Sequence, residues 1–536
     1  MLILSNVLSK MLVRHIPVRR RGPKGPRPGI RSQPTEQREC PSSPLPLPCP
    51  EPHQSISTPS VAAETQESSL SKLHRILVTG IIAVFPNTTV LQLVNDCLSL
   101  FFQRSFPNLP ICHEPSLRAY AQEFFKDELP SDHILLNDAS VPVLRSFSLL
   151  TAVCGTMTFI HGETIIPRGA VMGPLFLCAS RNTLREYEDY DLGHPNSSSL
   201  QIRMLQATCI QQHTCDKGLA SQVVGQASML AHAMRLHSEH VLNQYEPLES
   251  TLLRNCFWTL VMSDSSAICL KNRPAVLFDF LFDTELDTKE FGLNQVPLLA
   301  ESPGYADNEF EKSLLDGFHL FRRTFSMAAH LIVAIRTHHR MNTRNKKAPL
   351  NDQLELSRLS TLYSDFVSVL DDMPPSLQSS VILLRDNESP TEHQPISFTT
   401  QRYRLQTMFY CAKLLVVHEC IRFHLPSIIG LHDDRSASTR EELNIARDFV
   451  HTLQSVPFHY LRGNGEPGIE LIRAVGTVLL EISQNSSDES HQQRGHTLLN
   501  IILNILAKLN SQASDKLIEQ LSNVSVASFP SSMSPD

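Results

Sequence analysis

The sequence predicts an all-α protein, and three observations predict it. Apolar residues recur at intervals of three and four along most of the chain, no convincing series alternates as strands would, and turn-rich breaks such as DLGHPNSSS separate runs of helix length. No repeat of fixed period is present, so the expected fold is one large multi-helix unit rather than a stacked array. At 41% hydrophobic and 19% charged over 536 residues, the bulk of the chain has a globular composition and ample length for a core.

Residues 1–72 are the exception and are read as a disordered arm. Its first part carries Lys10, Arg14, Arg19, Arg20, Arg21, Lys24, Arg27 and Arg31 with no acid, and the remainder is rich in Pro and Ser, as in CPSSPLPLPCPEPHQSISTPS. Such a segment buries too little apolar area to offset its chain entropy. From Leu73 the pattern changes. Leu73, Ile76, Ile81 to Val84, Leu91, Val94, Leu98 and Phe101 fall at helical intervals and give two successive amphipathic helices. Further helices are expected at Val141–Phe159, Val171–Tyr187, Ser199–Gln212 and Gly218–Leu236, the last with the stripe Leu219, Val223, Ala227, Leu230 and Met234.

Pro247 suits a first helical position, and Glu249 lies in the first turn, where a carboxylate favours the helix dipole. Leu253, Phe257, Leu260, Val261 and Ile268 then line one side until Arg273-Pro274 stops the helix. FDFLFDTELDTKEF, after it, mixes acids with aromatics, as an acidic-hydrophobic activation segment does. Helices resume at Phe310–Thr337, Leu354–Leu370, Thr400–Phe423, Ser438–Val456, Gly468–Gln484 and Thr497–Leu509. The expected organisation is the arm 1–72, a large helical domain 73–430, helices 431–510 continuing that domain, and a helix end with a flexible tail at 511–536.

Charge and cysteine usage bound the setting. The net charge of −7 joins a basic arm to an acidic body, and such an arm suits a polyanion or a nuclear import receptor. The MLILSNVL start places its charges after the apolar part, opposite to a secretory signal, while Pro17, Pro23, Pro26 and Pro28 interrupt the helix that a mitochondrial transit peptide needs. No apolar run is expected to approach the roughly 18 or more residues needed to cross a bilayer, the nearest being Ile76 to Phe85, so no membrane partner is expected. The 12 cysteines are scattered singly, as in a protein of a reducing compartment.

Catalytic patterns find no support. There is no Gly-x-Ser-x-Gly elbow, no His-Glu-x-x-His and no glycine-rich phosphate loop. His232, His237 and His240, and the pair His338-His339, lack an acidic or Cys partner that would complete a metal set, and HTCDKG at 213–218 reads as a helix end with a turn.

The segment PLESTLLRNCFWTLVMSDSSAICLKNRPAVL, 247–277, resembles the middle homology region of the fungal binuclear zinc-cluster transcription factors. The resemblance rests on Glu249, Arg254, Phe257, Trp258, Asp264, Arg273 and Pro274; Leu253 stands where that family has a second arginine. FPNLPICHEPSL, with His113 and Pro115, is similar to the family's lead-in. VVGQASMLAHAMRLHSEH, with Gly225 and His237, resembles its small-residue helix, and LQTMFYCAKLLVVHECIRFHLP its late helix. In order, these pieces cover roughly 75–430, and the resemblance implies that Asp264 is a helix carboxylate paired with Arg254 or Arg273, that Trp258, the single tryptophan, is buried in the core, and that FDFLFDTELDTKEF is an ordered connection between helices.

The resemblance implies a nuclear regulator of a metabolic, including secondary-metabolite, gene set, acting through its helical domain on a DNA-binding transcription factor or the transcription machinery, with a small-molecule inducer among its candidate ligands. It departs from the family at the start. A zinc cluster needs six thiolates, Cys-x2-Cys-x6-Cys and a similar trio, and the arm offers only Cys40 and Cys49, although HIPVRRRGPKGPR at 15–27 looks like the linker that follows the cluster. No cofactor is therefore expected in this chain, zinc belonging only to an upstream cluster, and DNA contact is expected to be weak or indirect. The alternatives are a conventional zinc-cluster activator whose cluster lies in an upstream exon, and a helical enzyme of unspecified type.

Overall fold

Seventeen α-helices, and no strand, are present among the described residues of the computed structural model, which are 68–126, 140–162, 165–166, 168–214, 216–278, 282, 296–300, 309–344, 349–378, 393–432 and 434–509. The all-α expectation is met. The arm residues Arg19, Arg20, Arg21, Lys24 and Arg27, the cysteines Cys40 and Cys49, most of the acidic-aromatic connection and the tail 511–536 lie outside the described residues. The first helix starts earlier than expected, at Ser69 rather than 73, because the Ser68 hydroxyl accepts the Ser71 N–H and Leu70 is already in the core.

In chain order the first half comprises α1 (Ser69–Val84), α2 (Val90–Leu100), α3 (Glu114–Phe125), α4 (Val141–His161), α5 (Gly169–Glu186), α6 (Glu188–Gly193), α7 (Ser197–Thr214), α8 (Lys217–Ala233), α9 (Glu239–Leu242) and α10 (Pro247–Leu270). The second comprises α11 (Glu309–Arg344), α12 (Pro349–Val367), α13 (His393–Arg422), α14 (Arg435–Gln454), α15 (Phe458–Gly463), α16 (Gly465–Asn485) and α17 (Glu489–Leu509). All described residues belong to one contact unit, Thr65–Asp536. Each expected helix segment overlaps one of these helices, but α11 runs on to Arg344, α13 and α17 begin seven and eight residues earlier than expected, and the helices α3, α6, α9 and α15 were not expected; Asp216 caps α8 by accepting the Leu219 N–H, just after α7 ends at Thr214.

Helix α4 corrects the expectation that no apolar run approaches 18 residues, the nearest being Ile76 to Phe85. Its 21 residues reach a mean hydropathy of 1.5 over a window of which 72% is buried inside the protein. It packs heavily on α5 and α7, so it is apolar on nearly every side because nearly every side meets protein. The α4–α5 corner is tight enough to need glycine twice. A Cβ on Gly169 would stand 2.2 Å from the Gly162 Cα, and the Gly169 N–H donates to the Gly162 carbonyl at 2.8 Å.

The second half wraps around α13. Helix α11 packs on α10 and α13, α14 on α13 and α17, and α16 on α13 and α17 with further contacts to α7 and α10. Helix α10 ends in a left-handed residue, Lys271 at φ 54°, where glycine is the usual choice. There the Lys271 ammonium reaches Glu419 of α13 at 2.7 Å.

Candidate functional site

The residues singled out in 247–277 form one framework around α10. Its N-terminus is set by Pro247, and the Glu249 carboxylate reaches outward to accept the Ser197 N–H at 2.7 Å and the Ser197 hydroxyl at 2.6 Å, fixing the start of α7. Arg254 forks onto Glu239 of α9 at 3.0 and 2.7 Å. Asp264 is fully buried and accepts from Arg273 through Oδ1 and from the Val276 and Leu277 N–H groups through Oδ2, both at 2.7 Å, so it shapes the turn that Pro274 begins. Of the two bases expected for Asp264, the structure selects Arg273, because Arg254 lies nearly three turns away, facing α9.

Phe257 and Trp258 are buried as expected, at 1% and 6% exposure, and the Arg322 guanidinium of α11 stands 3.9 Å from the Trp258 ring centre. His237 lies against Phe282, with ring centres 4.6 Å apart, and Asn255 donates to the Pro110 carbonyl at 2.8 Å, tying α10 to the lead-in segment. Gly225 is different. It is half-buried in α8 and a Cβ built on it meets nothing within 4 Å, so neither packing nor backbone geometry requires a glycine there.

Beneath α10 the helices leave a chamber of about 200 Å³. One wall comes from an irregular segment. After α2 the chain widens into a π turn, Phe101–Ser105, and tightens into a 3₁₀ turn, Phe106–Asn108, which present Arg104, Ser105 and Asn108 to the chamber. Such π turns recur at functional sites because they re-aim side chains within an otherwise regular helix. Helix α10 contributes Thr259 and Ser263, α11 contributes Phe321, and α13 contributes Arg404 and Met408; the floor is Asn464 to Leu471 around the start of α16. Gly465, at φ 57°, makes the bend from α15 into α16 that closes this floor.

The chamber is electrostatically one-sided. Among the described residues Arg104 and Arg404 line it, and no Asp or Glu does. Among the described residues neither arginine has a carboxylate partner: Arg404 lies 5.4 Å from the Phe321 ring and Arg104 lies 5.9 Å from the Tyr460 ring. Burial pulls the Arg404 guanidinium down to about 10, which still leaves it a cation at neutral pH, and burial lowers Arg104 as well. Asn108 is 2% exposed, and neither its Nδ2 nor its Oδ1 has a hydrogen-bond partner among the described residues. Close by, burial together with the charges of Arg104 and His459 holds His161 neutral, near 4.

A second cleft of about 170 Å³ adjoins the chamber and shares six of its lining residues, among them Thr208, Val224 and Ser266. Lys217 and Glu470 pair across its rim at 2.5 Å.

No three His, Cys, Asp or Glu side chains among the described residues stand together as a metal-binding group. The nine described cysteines are free thiols, and burial pushes those of Cys112, Cys256 and Cys411 up, away from the thiolate form.

No model of a known protein family matches the chain, and none of the curated proteins compared with it does. Arg104, Asn108 and Arg404 were not singled out by the sequence reading. The available signal was Arg404, a charged residue on the same helical face as the apolar Met408, four positions on.

Proposed function

We propose that the chain is a transcriptional regulator of the fungal zinc-cluster type, in which the helical unit is the regulatory domain and DNA is read by a partner carrying its own recognition module. The observation that supports this reading most is the framework around α10. The residues that carry the resemblance are also those that fasten α10 to its neighbours: Glu249 to α7, Arg254 to α9, Trp258 to α11, and Asp264 to the exit turn. In this reading the basic arm is a nuclear address, its charge clustered at Arg19, Arg20, Arg21, Lys24 and Arg27. Cys40 and Cys49 do not fit a binuclear zinc site, which needs six thiolates.

The test joins the full chain to a heterologous DNA-binding module and measures transcription of a matching reporter, alongside a fluorescent fusion. A changed reporter output and a nuclear signal that is lost when the five arm residues become Ala are expected. A silent reporter with a cytoplasmic or mitochondrial fusion overturns the reading. The second reading, a conventional zinc-cluster activator, is favoured by the linker-like HIPVRRRGPKGPR; a cysteine-rich upstream exon in the 5′ transcript decides for it.

A further inference from the structure

The chamber is lined by two half-buried cations, Arg104 and Arg404, that have no carboxylate partner among the described residues, and by the buried amide of Asn108, neither of whose polar atoms is bonded there. Enclosing a guanidinium without a counter-charge opposes folding, and so does burying an amide with neither of its atoms bonded. Both groups face the same space, together with the carbon-rich surfaces of Phe321, Met408 and Leu471. A few polar groups converging in a mostly apolar cavity is the usual make-up of a small-molecule site. The space is also sufficient, since a cavity of ~150 Å³ accepts benzene.

We propose that this chamber binds a small organic acid, a single carboxylate on an aromatic or short aliphatic body, with the carboxylate taken by Arg404 and Arg104, the amide of Asn108 donating to it, and the body lying against Phe321, Met408 and Leu471. A guanidinium presents a planar fork that matches a carboxylate. A bare, strongly hydrated phosphate suits the apolar walls far less, because it must shed water that they cannot replace. The ligand completes the polar groups that the fold leaves open. Arg322 adjoins the lining residue Phe321 in sequence and covers Trp258, so occupancy is expected to reach the single tryptophan. Binding rests on the chamber alone; that occupancy governs transcription rests on the regulator reading above.

The test uses the purified full chain with benzoate, phenylacetate and hexanoate, each against its neutral amide, and with inorganic phosphate, read by calorimetry and by Trp258 emission. At least one carboxylate is expected to bind roughly tenfold or more tighter than its amide and than phosphate. Arg404→Met is expected to weaken that binding about tenfold or more while raising the melting temperature of the unliganded protein, because it removes a half-buried charge that has no counter-charge among the described residues. Should that variant fail to fold, Asn108→Leu, which replaces the open amide by an apolar group of similar size, is expected to keep the fold and weaken binding. Equal affinity for acid and amide, equal affinity for phosphate, undiminished binding by the folded variants, or no binding of any acid at about 10 mM overturns the proposal. Binding without a reporter response sinks the regulator reading and leaves the chamber assigned; a reporter response without binding does the reverse.

Discussion

The Arg322 guanidinium stands 3.9 Å from the centre of the Trp258 ring, a cation held on an aromatic face where α10 meets α11. The indole is 6% exposed and also meets Phe257 edge-on, so it fills the junction of the two helices.

Trp258→Ala is therefore expected to lower stability by about 3–5 kcal/mol, the range for emptying a packed aromatic site. Urea titration followed by far-ultraviolet dichroism measures it. In the unaltered protein the emission should be blue-shifted when folded and move to the red on unfolding; a water-like native spectrum contradicts the burial.

Asp264 and Arg273 should behave as a coupled pair. Replacing either by Ala leaves a buried or half-buried charge without its partner and is expected to lower stability by about 3–5 kcal/mol. The double variant should be less damaged than the sum of the two, with a coupling of about 0.5–3 kcal/mol. Strict additivity indicates that the turn at Val276 and Leu277 is held by something other than this pair.

Acid should destabilise the protein well before its carboxylates titrate. Burial, with Arg104 and His459 beside it, lowers His161 to about 4, and burial with Arg322 lowers His319 to about 3, both from 6.5. The unfolded chain takes up these protons first. Their contribution is thus complete above pH 6.5 and is lost as pH falls towards 4 and 3, with a slope of up to about 1.4 kcal/mol per pH unit for each site. His418 runs the opposite way. Burial lowers it, but Glu442 at 2.8 Å and Glu481 at 3.3 Å together outweigh burial and raise it, so its contribution is complete below 6.5 and fades as pH rises through its folded value. Melting temperatures between pH 4 and 8 should flatten on the acid side in His161→Gln and on the neutral side in His418→Gln; unchanged profiles refute both assignments.

Gly225→Ala should stabilise the protein by about 0.5–1 kcal/mol. The residue lies within α8, open space adjoins the missing Cβ, and alanine loses less backbone entropy on forming a helix. Chemical denaturation reads the gain. A loss instead means that this face of α8 is covered by a part of the chain that needs the space.

The sequence by itself determined where the long helices lie, because 3.6-residue periodicity, first-turn prolines and turn residues act within a few positions of one another, whereas α3 was not expected and α6, α9 and α15 are too short to carry a clear period. Pro247 starting α10 and the helix end before Asp216 were legible in that way, while the burial of Trp258 was implied by the resemblance of its segment rather than by periodicity. Asp264 was legible as a paired carboxylate, but its partner was decided by which way the chain turned after Lys271. The chamber belongs entirely to the tertiary structure. Its two cations are 300 positions apart, one aimed by a π turn that no local pattern announced and the other on a helix that reads as ordinary core. Only packing α10, α11, α13 and α16 around the end of α2 brings them to a common space, and the absence of any carboxylate from that lining is a property of the assembled walls, which no window of sequence contains.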